Sequence, residues 1–453
     1  MSLLEKANIL NMYTKKKKKS IYKPERKDLV LILSILILII SPFIINFILG
    51  LNSKLRQIDL FLSPRCEDFF GIEITENLMR DFQEQNPDLQ ISLLNPEEFS
   101  AETRRNRGSR MDEKGRGSLI PQPDIIIFDE GDFSGLIDSG ALLPLMPYIQ
   151  SEGSIAVKDT ELFAIPLVSF MDLLFYNIEL LQTAGFDRPP KTRDEFIVYA
   201  KTVSGGNEAA GAAIGLSPGD NLSLSRDIFS WIWAAGSDFW LGADSRNVQG
   251  PVINTRPIIA DIAFLGRLYR EGALAPMSFS MTGEQRLEEF AQGKFAMMIA
   301  STRVIPALRE KMGDNLFGIT AIPGGETAGK YSIGISGLYA GISAESEHPD
   351  RAWAFLEFMA GQSLLFCAEL KAVPGIVSDL ISGDYANDDP FYSKARDIFY
   401  SSEIVSGFSG KAGAQEFEDA VREELYIFFE GSRTAQETAN AIQRKWDEIS
   451  AER

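Results

Sequence analysis

Cysteine and histidine are scarce in this chain of 453 residues, which contains only Cys66, Cys367 and His348 of these two types. The counts exclude a disulfide framework and a zinc site built from cysteine and histidine. A single disulfide between Cys66 and Cys367 would have to link residues 301 positions apart. We therefore expect two unpaired thiols.

The usual signatures of catalysis are also missing. The one histidine stands beside Pro349 at the start of a predicted helix, so a Ser-His-Asp arrangement has no good candidate. Neither a Gly-x-Ser-x-Gly motif nor a phosphate-cradling loop occurs. Paired carboxylates for glycoside hydrolysis stay possible, since the chain has 63 acidic residues. We predict no enzyme, no catalytic residue, no metal site and no cofactor.

Positive charge is concentrated at the N-terminus. Residues 1–27 carry nine Lys or Arg and two Glu, a net charge of +7. Because the whole chain has a net charge of −18, the remaining residues carry −25. Nucleic acid is an unsuitable partner for so acidic a body. A second basic stretch, within residues 97–122, is interpreted as a solvated loop, with a patch for anionic lipid as the alternative.

One long apolar run is present, at residues 29–51, directly after a lysine-rich segment. Its 23 residues are enough to span about 30 Å of hydrocarbon. It lacks a small-x-small cleavage site and no cysteine lies at its end, so we expect an uncleaved signal anchor. The positive-inside rule then makes residues 1–28 a basic cytoplasmic tail and places residues 52–453 outside the membrane.

The rest of the chain is organised around residues 164–203. An apolar run interrupted by Pro166 suits an extended crossing segment, and residues 173–177 have strand length. A short helical patch at 178–184 stops at Gly185, and Thr192 with Glu195 forms a capping box for the next helix. The pattern is a fixed succession of crossing strand, short helix, Pro-Pro loop and capped helix.

This stretch resembles the segment by which sugar-binding (maltose-type, family 1) solute-binding proteins of bacterial ABC transporters cross between lobes. Further motifs resemble the family in order along about residues 55–450. They are Asn86-Pro87-Asp88 before a strand, an apolar strand at 124–128 leading to Leu142-Leu143-Pro144-Leu145, a capped helix at 282–285 feeding a strand at 295–300, a Gly-Gly turn at 318–325, a strand at 333–343 and a Pro349 helix start.

The resemblance implies an α/β, two-lobe periplasmic-binding-protein fold of type II with a hinge, here preceded by one N-terminal transmembrane helix. The first lobe would comprise residues 55–165 and 333–385, and the second residues 166–332 and 386–453. Alternating strands and helices also predict a mainly parallel sheet, with ligand outside the carboxyl ends of the strands.

The same resemblance implies a set of ligand-binding residues. Asp129, Glu130 and Asp132 match a polar loop after the third strand, and Arg303 and Glu418 fall where maltose-type proteins place stacking tryptophans. These two replacements make the cleft more charged and less aromatic. The complete predicted set is Arg65, Asp129, Glu130, Asp132, Phe170, Trp231, Trp233, Ser301, Arg303 and Glu418. The two tryptophans suit the core of the second lobe equally well.

Together these features predict a monomeric, membrane-tethered, extracytoplasmic binding protein that passes a sugar or oligosaccharide to the permease subunits of an ABC importer. Two alternatives stay open. The protein could present its loaded form to a receptor as a ligand sensor, or it could be a carbohydrate-active enzyme.

Overall fold

The computed structural model describes residue 41 and the ranges 57–63, 66, 72–94, 123–149, 163–206, 209–217, 225–237, 251–276, 278–324, 331–374, 389–405 and 413–452. The predictions for Arg65, for the tail at 1–28 and for the basic stretch at 97–122 lie outside these residues, as does the predicted anchor at 29–51 except for Ser41. Among the described residues, no helix is long and apolar enough to cross a membrane.

Residues 58–453 form one compact unit of mixed strands and helices. The strands are β1 (Gln57–Leu62), β2 (Gln90–Leu93), β3 (Ile125–Asp129), β4 (Ile165–Asn177), β5 (Ala210–Ala213), β6 (Phe295–Ser301), β7 (Phe317–Thr320), β8 (Tyr331–Ile342), β9 (Val373–Pro374) and β10 (Ser402–Val405). The helices are α1 (Ile72–Gln85), α2 (Glu130–Asp138), α3 (Ile178–Thr183), α4 (Arg193–Gly205), α5 (Ser230–Ala234), α6 (Arg256–Arg270), α7 (Gly283–Ala291), α8 (Ile305–Met312), α9 (Pro349–Gly361), α10 (Ser363–Leu370), α11 (Pro390–Ser401), α12 (Ala414–Phe429) and α13 (Ala435–Glu452).

Strand β4 belongs to two sheets in succession. Its first half pairs with β8, from Ile165 opposite Ala340 to Met171 opposite Ile335. Its second half pairs with β6, where Asp172 lies opposite Ser301, and with β7. The first sheet continues from β8 through β3 and β1 to β2, and the second from β6 to β5. The chain therefore builds two lobes that β4 connects.

Strand β8 makes the return crossing. Its C-terminal half pairs with β3, whereas its first residues, from Tyr331, pair in parallel with β10. Antiparallel pairs of β4 with β8, β6 and β7 make the sheet mixed rather than mainly parallel. The prediction of a mainly parallel sheet was wrong because a strand that crosses between lobes enters each sheet from the opposite side to the βα units.

Each sheet is covered by apolar side chains on both faces. The two first-lobe clusters lie around Ile127 and Phe128, which point to opposite faces of β3. In the second lobe, Leu174 joins one cluster while Leu173 and Phe175 join the other. Successive strand residues point to opposite faces, so a continuous apolar run is what a strand buried on both faces requires.

Local sequence signals located most helices and strands correctly. Thr282 and Gln285 form a complete capping box, and Thr434 and Glu437 exchange backbone-to-side-chain hydrogen bonds in the same way. At α4 only half of the predicted box forms. Thr192 accepts from the Glu195 amide, but the Glu195 carboxylate accepts from the Lys191 amide and from Arg188. A nearby arginine and a free loop amide therefore hold that carboxylate.

The two cysteines are both buried and form no disulfide, as expected from their spacing. The crossing segment and the apolar run that follows it form one strand of 13 residues. Pro166 is accommodated by a shift in pairing register between Pro166 and Val168. The imide lacks an N–H, so an irregularity at this point interrupts the ladder without leaving a donor unpaired. The exact lobe boundaries stay a prediction.

Candidate functional site

Acidic residues gather where β3 ends and α2 begins. Asp129 caps the helix, and its Oδ1 accepts a hydrogen bond from the Gly131 amide at 3.0 Å. Glu130 and Asp132 occupy the first helical turn. Carboxylates favour this position because the amides at a helix N-terminus carry partial positive charge. The sequence motif thus produces an acidic turn at the carboxyl end of a first-lobe strand.

Glu130 connects this turn to the crossing strand β8. Its Oε2 accepts a hydrogen bond from the Gly337 amide at 3.0 Å. Burial raises the pKa of Glu130 well above its ordinary value, and the negative charge of Asp172 adds to the rise, while Arg226 opposes it. Glu130 is therefore within electrostatic reach of Asp172 on β4 and of Arg226.

Asp172 occupies the point of β4 at which pairing changes from one sheet to the other. Its side chain is 8% exposed and forms an ion pair with Arg226, whose Nε lies 3.8 Å from Oδ1. Burial raises the pKa of Asp172 to about 7. Arg226 opposes the rise, and the negative charge of Asp227 increases it. Burial in an apolar strand therefore favours the protonated form of this carboxyl group.

The opposing residues follow β6. The Ser301 hydroxyl accepts from the Arg303 amide at 3.3 Å, and the Thr302 hydroxyl accepts from the Met171 amide at 3.1 Å. Burial lowers the pKa of Arg303, and the charges of Asp129 and Glu130 oppose that effect. Arg303 thus lies in the electrostatic field of the acidic turn.

A buried ion pair lies directly after Arg226 in the chain. Asp227 forms an ion pair with Arg286 across 2.9 Å, with side chains that are 1% and 2% exposed. Gly215 allows this pair to form, because a Cβ atom at that position would lie 1.3 Å from Nη1 of Arg286. The buried pair therefore holds the side chain of Asp227, the neighbour of Arg226 in the chain.

Three predicted ligand contacts are corrected by their burial. Phe170, Trp231 and Trp233 are each 1% exposed and belong to the lobe cores. Trp231 packs edge-on against Phe196 with ring centroids 4.8 Å apart. A ring surrounded by protein on all sides presents no face on which a sugar could stack, so these aromatics serve packing.

The remaining predicted residues differ in position. Asp129, Glu130, Asp132, Ser301 and Arg303 gather around the crossing strands. Glu418 is 8% exposed on α12, a helix that contacts α2. Cys66 lies near the same group. Burial raises the pKa of its thiol to about 12, which keeps it protonated. No group of three or more potential ligands within the described residues is arranged to hold a metal ion.

The sequence reading missed Asp172, Arg226, Asp227 and Arg286. One signal was present: Asp172 interrupts the apolar run Phe170-Met171-Asp172-Leu173 of a predicted buried strand. A charged residue in such a run must be paired or functional, because burying an isolated charge is costly. Its partners could not be identified from sequence, since Arg226 and Arg286 come from distant segments.

The chain is similar in sequence to known binding proteins. The sequence model of the bacterial extracellular solute-binding protein family matches residues 72–363. A binding protein of Brucella abortus is 23% identical over 216 residues, which cover 47% of this chain and 50% of the relative. An arabinooligosaccharide-binding protein of Halalkalibacterium halodurans is 23% identical over 304 residues, 63% of this chain and 64% of the relative. The chain thus spans about half the length of the first of these relatives.

A solved structure shares the fold. The cyclic alpha-maltosyl-1,6-maltose binding protein of Arthrobacter globiformis superimposes with a TM-score of 0.68 at 18% identity, covering 86% of this chain and 97% of that one. At this level of identity the likeness concerns the fold, a two-lobe α/β binding-protein architecture.

Proposed function

The chain belongs to the family of bacterial extracellular solute-binding proteins, and from this premise we propose that it captures a carbohydrate between its lobes and delivers it to the permease of an ABC importer. One observation carries the proposal. Polar groups from both lobes, among them Glu130 and Arg303, converge where β4 and β8 cross. Ligand sites of open α/β folds form where strand ends of this kind face a crevice.

Five residues are proposed as ligand contacts, namely Asp129, Glu130, Asp132, Ser301 and Arg303. Carboxylate and hydroxyl oxygens accept hydrogen bonds from sugar hydroxyls, and the arginine fork donates to vicinal hydroxyls or to a carboxylate. The likeness to an arabinooligosaccharide-binding protein supports a saccharide ligand.

A thermal-shift screen against monosaccharides and oligosaccharides tests the capture step. A ligand that binds only the folded protein raises the unfolding free energy by about 2.7 kcal/mol at a concentration of 100 times its dissociation constant. We expect at least one saccharide class to raise the melting temperature in a saturable way. A complete panel without such a shift would contradict the proposal.

Delivery without chemical conversion is the second part of the proposal. We expect the protein to be a monomer that returns oligosaccharides unchanged after prolonged incubation. Reconstitution with the permease subunits of an ABC importer should give saccharide-dependent ATP hydrolysis. Appearance of shorter saccharides during incubation would favour a carbohydrate-active enzyme instead.

Tethering to the membrane is the third part. The apolar run at 29–51 after the lysine-rich segment supports an N-terminal anchor that keeps the binding unit on the extracytoplasmic side. The native protein should then fractionate with membranes and retain its first residues. Sequencing of the purified native protein that finds an N-terminus near Leu51 would show that the segment is cleaved.

A further inference from the structure

The backbone of β4 changes partners between two consecutive residues. Met171 is the last residue that pairs with β8, opposite Ile335, and Asp172 is the first that pairs with β6, opposite Ser301. Where a strand leaves one sheet for another, its buried amides still require acceptors. The Met171 amide donates to the hydroxyl of Thr302 at 3.1 Å. An amide at the change of sheets is thus held by a side chain.

Thr302 lies immediately after β6, at the start of the three-residue turn Thr302–Val304. Its side chain is buried, and its hydroxyl reaches a residue 131 positions away in the chain. The Thr302 carbonyl accepts from the amide of Ile305, where α8 begins. The Ser301 hydroxyl accepts from the Arg303 amide at 3.3 Å. The turn is therefore closed by its own hydrogen bonds and joined to β4 through the hydroxyl of Thr302.

The other crossing strand is held in the same way. Asp129 and Glu130 follow one another at the end of β3, as Ser301 and Thr302 do at the end of β6. The first residue of each pair caps the helix or turn that follows. The second residue accepts from an amide of a crossing strand, which for Glu130 is that of Gly337 at 3.0 Å. One side chain from each strand end thus holds one crossing strand.

Arg303 depends on this arrangement because it follows Thr302 directly. Consecutive Cα atoms are fixed about 3.8 Å apart, so a shift of Thr302 away from β4 also moves the backbone of Arg303. The guanidinium is a rigid planar fork, and its hydrogen bonds weaken steeply when distance or angle is wrong. A contact between Arg303 and a ligand therefore requires a fixed position of the turn.

We propose that Thr302 is a positioning residue of the capture site: its hydroxyl fastens the turn after β6 to β4 and so holds Arg303 where it contacts the saccharide. The inference rests on the proposed function and adds to it a residue that does not itself touch the ligand. A contact that is ordered before binding gives higher affinity, because the ligand does not have to order it. Thr302 should therefore affect affinity through Arg303.

Two substitutions separate the hydroxyl from the rest of the side chain. Thr302→Val keeps the shape and removes the acceptor of the Met171 amide, whereas Thr302→Ser keeps the acceptor. Calorimetric titration of the full chain measures the dissociation constant well below the melting temperature of every variant. The probes are the saccharides that raise the melting temperature of the natural protein, beginning with short malto- and arabino-oligosaccharides.

Ser278→Ala is the matched control. The Ser278 hydroxyl also accepts from a buried amide, that of Ile214 at 3.0 Å, and the side chain is fully buried. Ile214 follows β5, which β6 separates from β4. This substitution removes a hydrogen bond of the same kind without touching a crossing strand, so it measures the cost of an unsatisfied buried amide alone.

Thr302→Val should weaken saccharide binding at least about fivefold, which corresponds to about 1 kcal/mol. Thr302→Ser should bind within about twofold of the natural protein, since it retains the hydrogen bond. Ser278→Ala should lose melting temperature but keep its affinity. In an Arg303→Ala background, Thr302→Val should cause no further loss, because the side chain that it positions is absent. If the valine variant does not fold, Thr302→Ala removes the same hydroxyl.

An unchanged dissociation constant in Thr302→Val, as expected for Ser278→Ala, would overturn the inference and leave the proposed function intact. An equal loss in Thr302→Ser would show that the hydroxyl is not responsible. An equal loss with and without Arg303 would show that Thr302 does not act through that arginine, and either result rejects the role assigned to Thr302. A natural protein that binds no saccharide would overturn the proposed function and this inference with it.

Discussion

At the scale of single residues, burial determines what a side chain does at the crossing of β4 and β8. Trp231 and Trp233 have the chemistry of a sugar platform but lie in a core. Asp172 stands in an apolar run, yet its carboxyl group borders the charged site. Arg303 keeps its guanidinium partly buried beside Asp129 and Glu130.

Arg303→Ala should weaken binding of the cognate saccharide at least about tenfold. Loss of the guanidinium would leave ligand oxygens without donors in a desolvated site, at a cost of about 1–3 kcal/mol or roughly 5- to 150-fold in affinity. The apo melting temperature should barely change, because the cost of burying the guanidinium offsets its attraction to Asp129 and Glu130. Calorimetric titration measures the effect, with Arg256→Ala, an exposed position on α6, as the control. An unchanged dissociation constant would remove Arg303 from the site.

Arg286→Leu should destabilise the fold strongly. The substitution leaves Asp227 as a buried charge without its partner, at a cost of about 3–5 kcal/mol in the free energy of unfolding. Urea denaturation gives this quantity directly. Arg188→Leu breaks a bidentate pair whose arginine is 41% exposed and should have a far smaller effect, since water screens that pair. Equal losses in the two variants would show that the buried pair has no special role.

The pKa of Asp172 makes stability depend on pH. Its carboxyl group changes from an ordinary value of 3.8 to about 7 in the folded protein, so the folded state keeps a proton that the unfolded chain has lost. Its contribution to stability is complete below pH 3.8 and disappears as the pH rises to about 7. Melting curves should therefore show that the stability of Asp172→Asn rises relative to that of the natural protein as the pH increases from about 4 to 7. Parallel pH profiles for the two proteins would contradict the shift.

At the scale of secondary structure, the two crossing strands control the geometry of the site. β4 carries Asp172 and pairs with β8, whose Gly337 amide holds Glu130. The strands approach closely here, because a Cβ atom on Gly337 would lie 2.6 Å from the carbonyl oxygen of Val168. The absence of a side chain at Gly337 therefore allows the pairing that brings Glu130 towards Asp172.

Gly337→Ala should separate the crossing strands locally. The backbone contact must lengthen, and overpacking of this kind typically costs about 1–3 kcal/mol of unfolding free energy. Saccharide affinity should fall together with stability, because the amide that holds Glu130 moves. The same substitution at Gly361, where no atom lies within 4 Å, should instead stabilise α9 by up to about 1 kcal/mol. Denaturation curves for both variants decide the matter, and a neutral Gly337→Ala would show that the strands adapt freely.

At the scale of the whole molecule, two lobes joined by crossing strands suit a hinge motion. Each lobe has its own apolar clusters on both faces of its sheet, so each can move as a rigid body. The acidic turn and Arg303 come from opposite sides of the crossing, and a ligand that contacts both favours the closed arrangement.

Small-angle X-ray scattering should detect this closure. At saturating saccharide the radius of gyration is expected to decrease, because closing two rigid lobes makes the particle more compact. Arg303→Ala at the same degree of saturation should show a smaller decrease, since one contact between the ligand and the second lobe is lost. A radius that stays constant at saturation would mean that capture does not require lobe closure.

The sequence by itself determined the local structure and the architecture. Apolar runs and caps such as Thr282 with Gln285 depend on residues near each other in the chain, so they located strands and helices, and ordered motifs pointed to a two-lobe fold. Only the tertiary structure decided that Trp231 is core, that Asp172 faces Glu130, and that Arg286 pairs with Asp227. Burial and charge pairing depend on segments that are distant in sequence, and a carboxyl group acquires its pKa from the neighbours that folding brings to it.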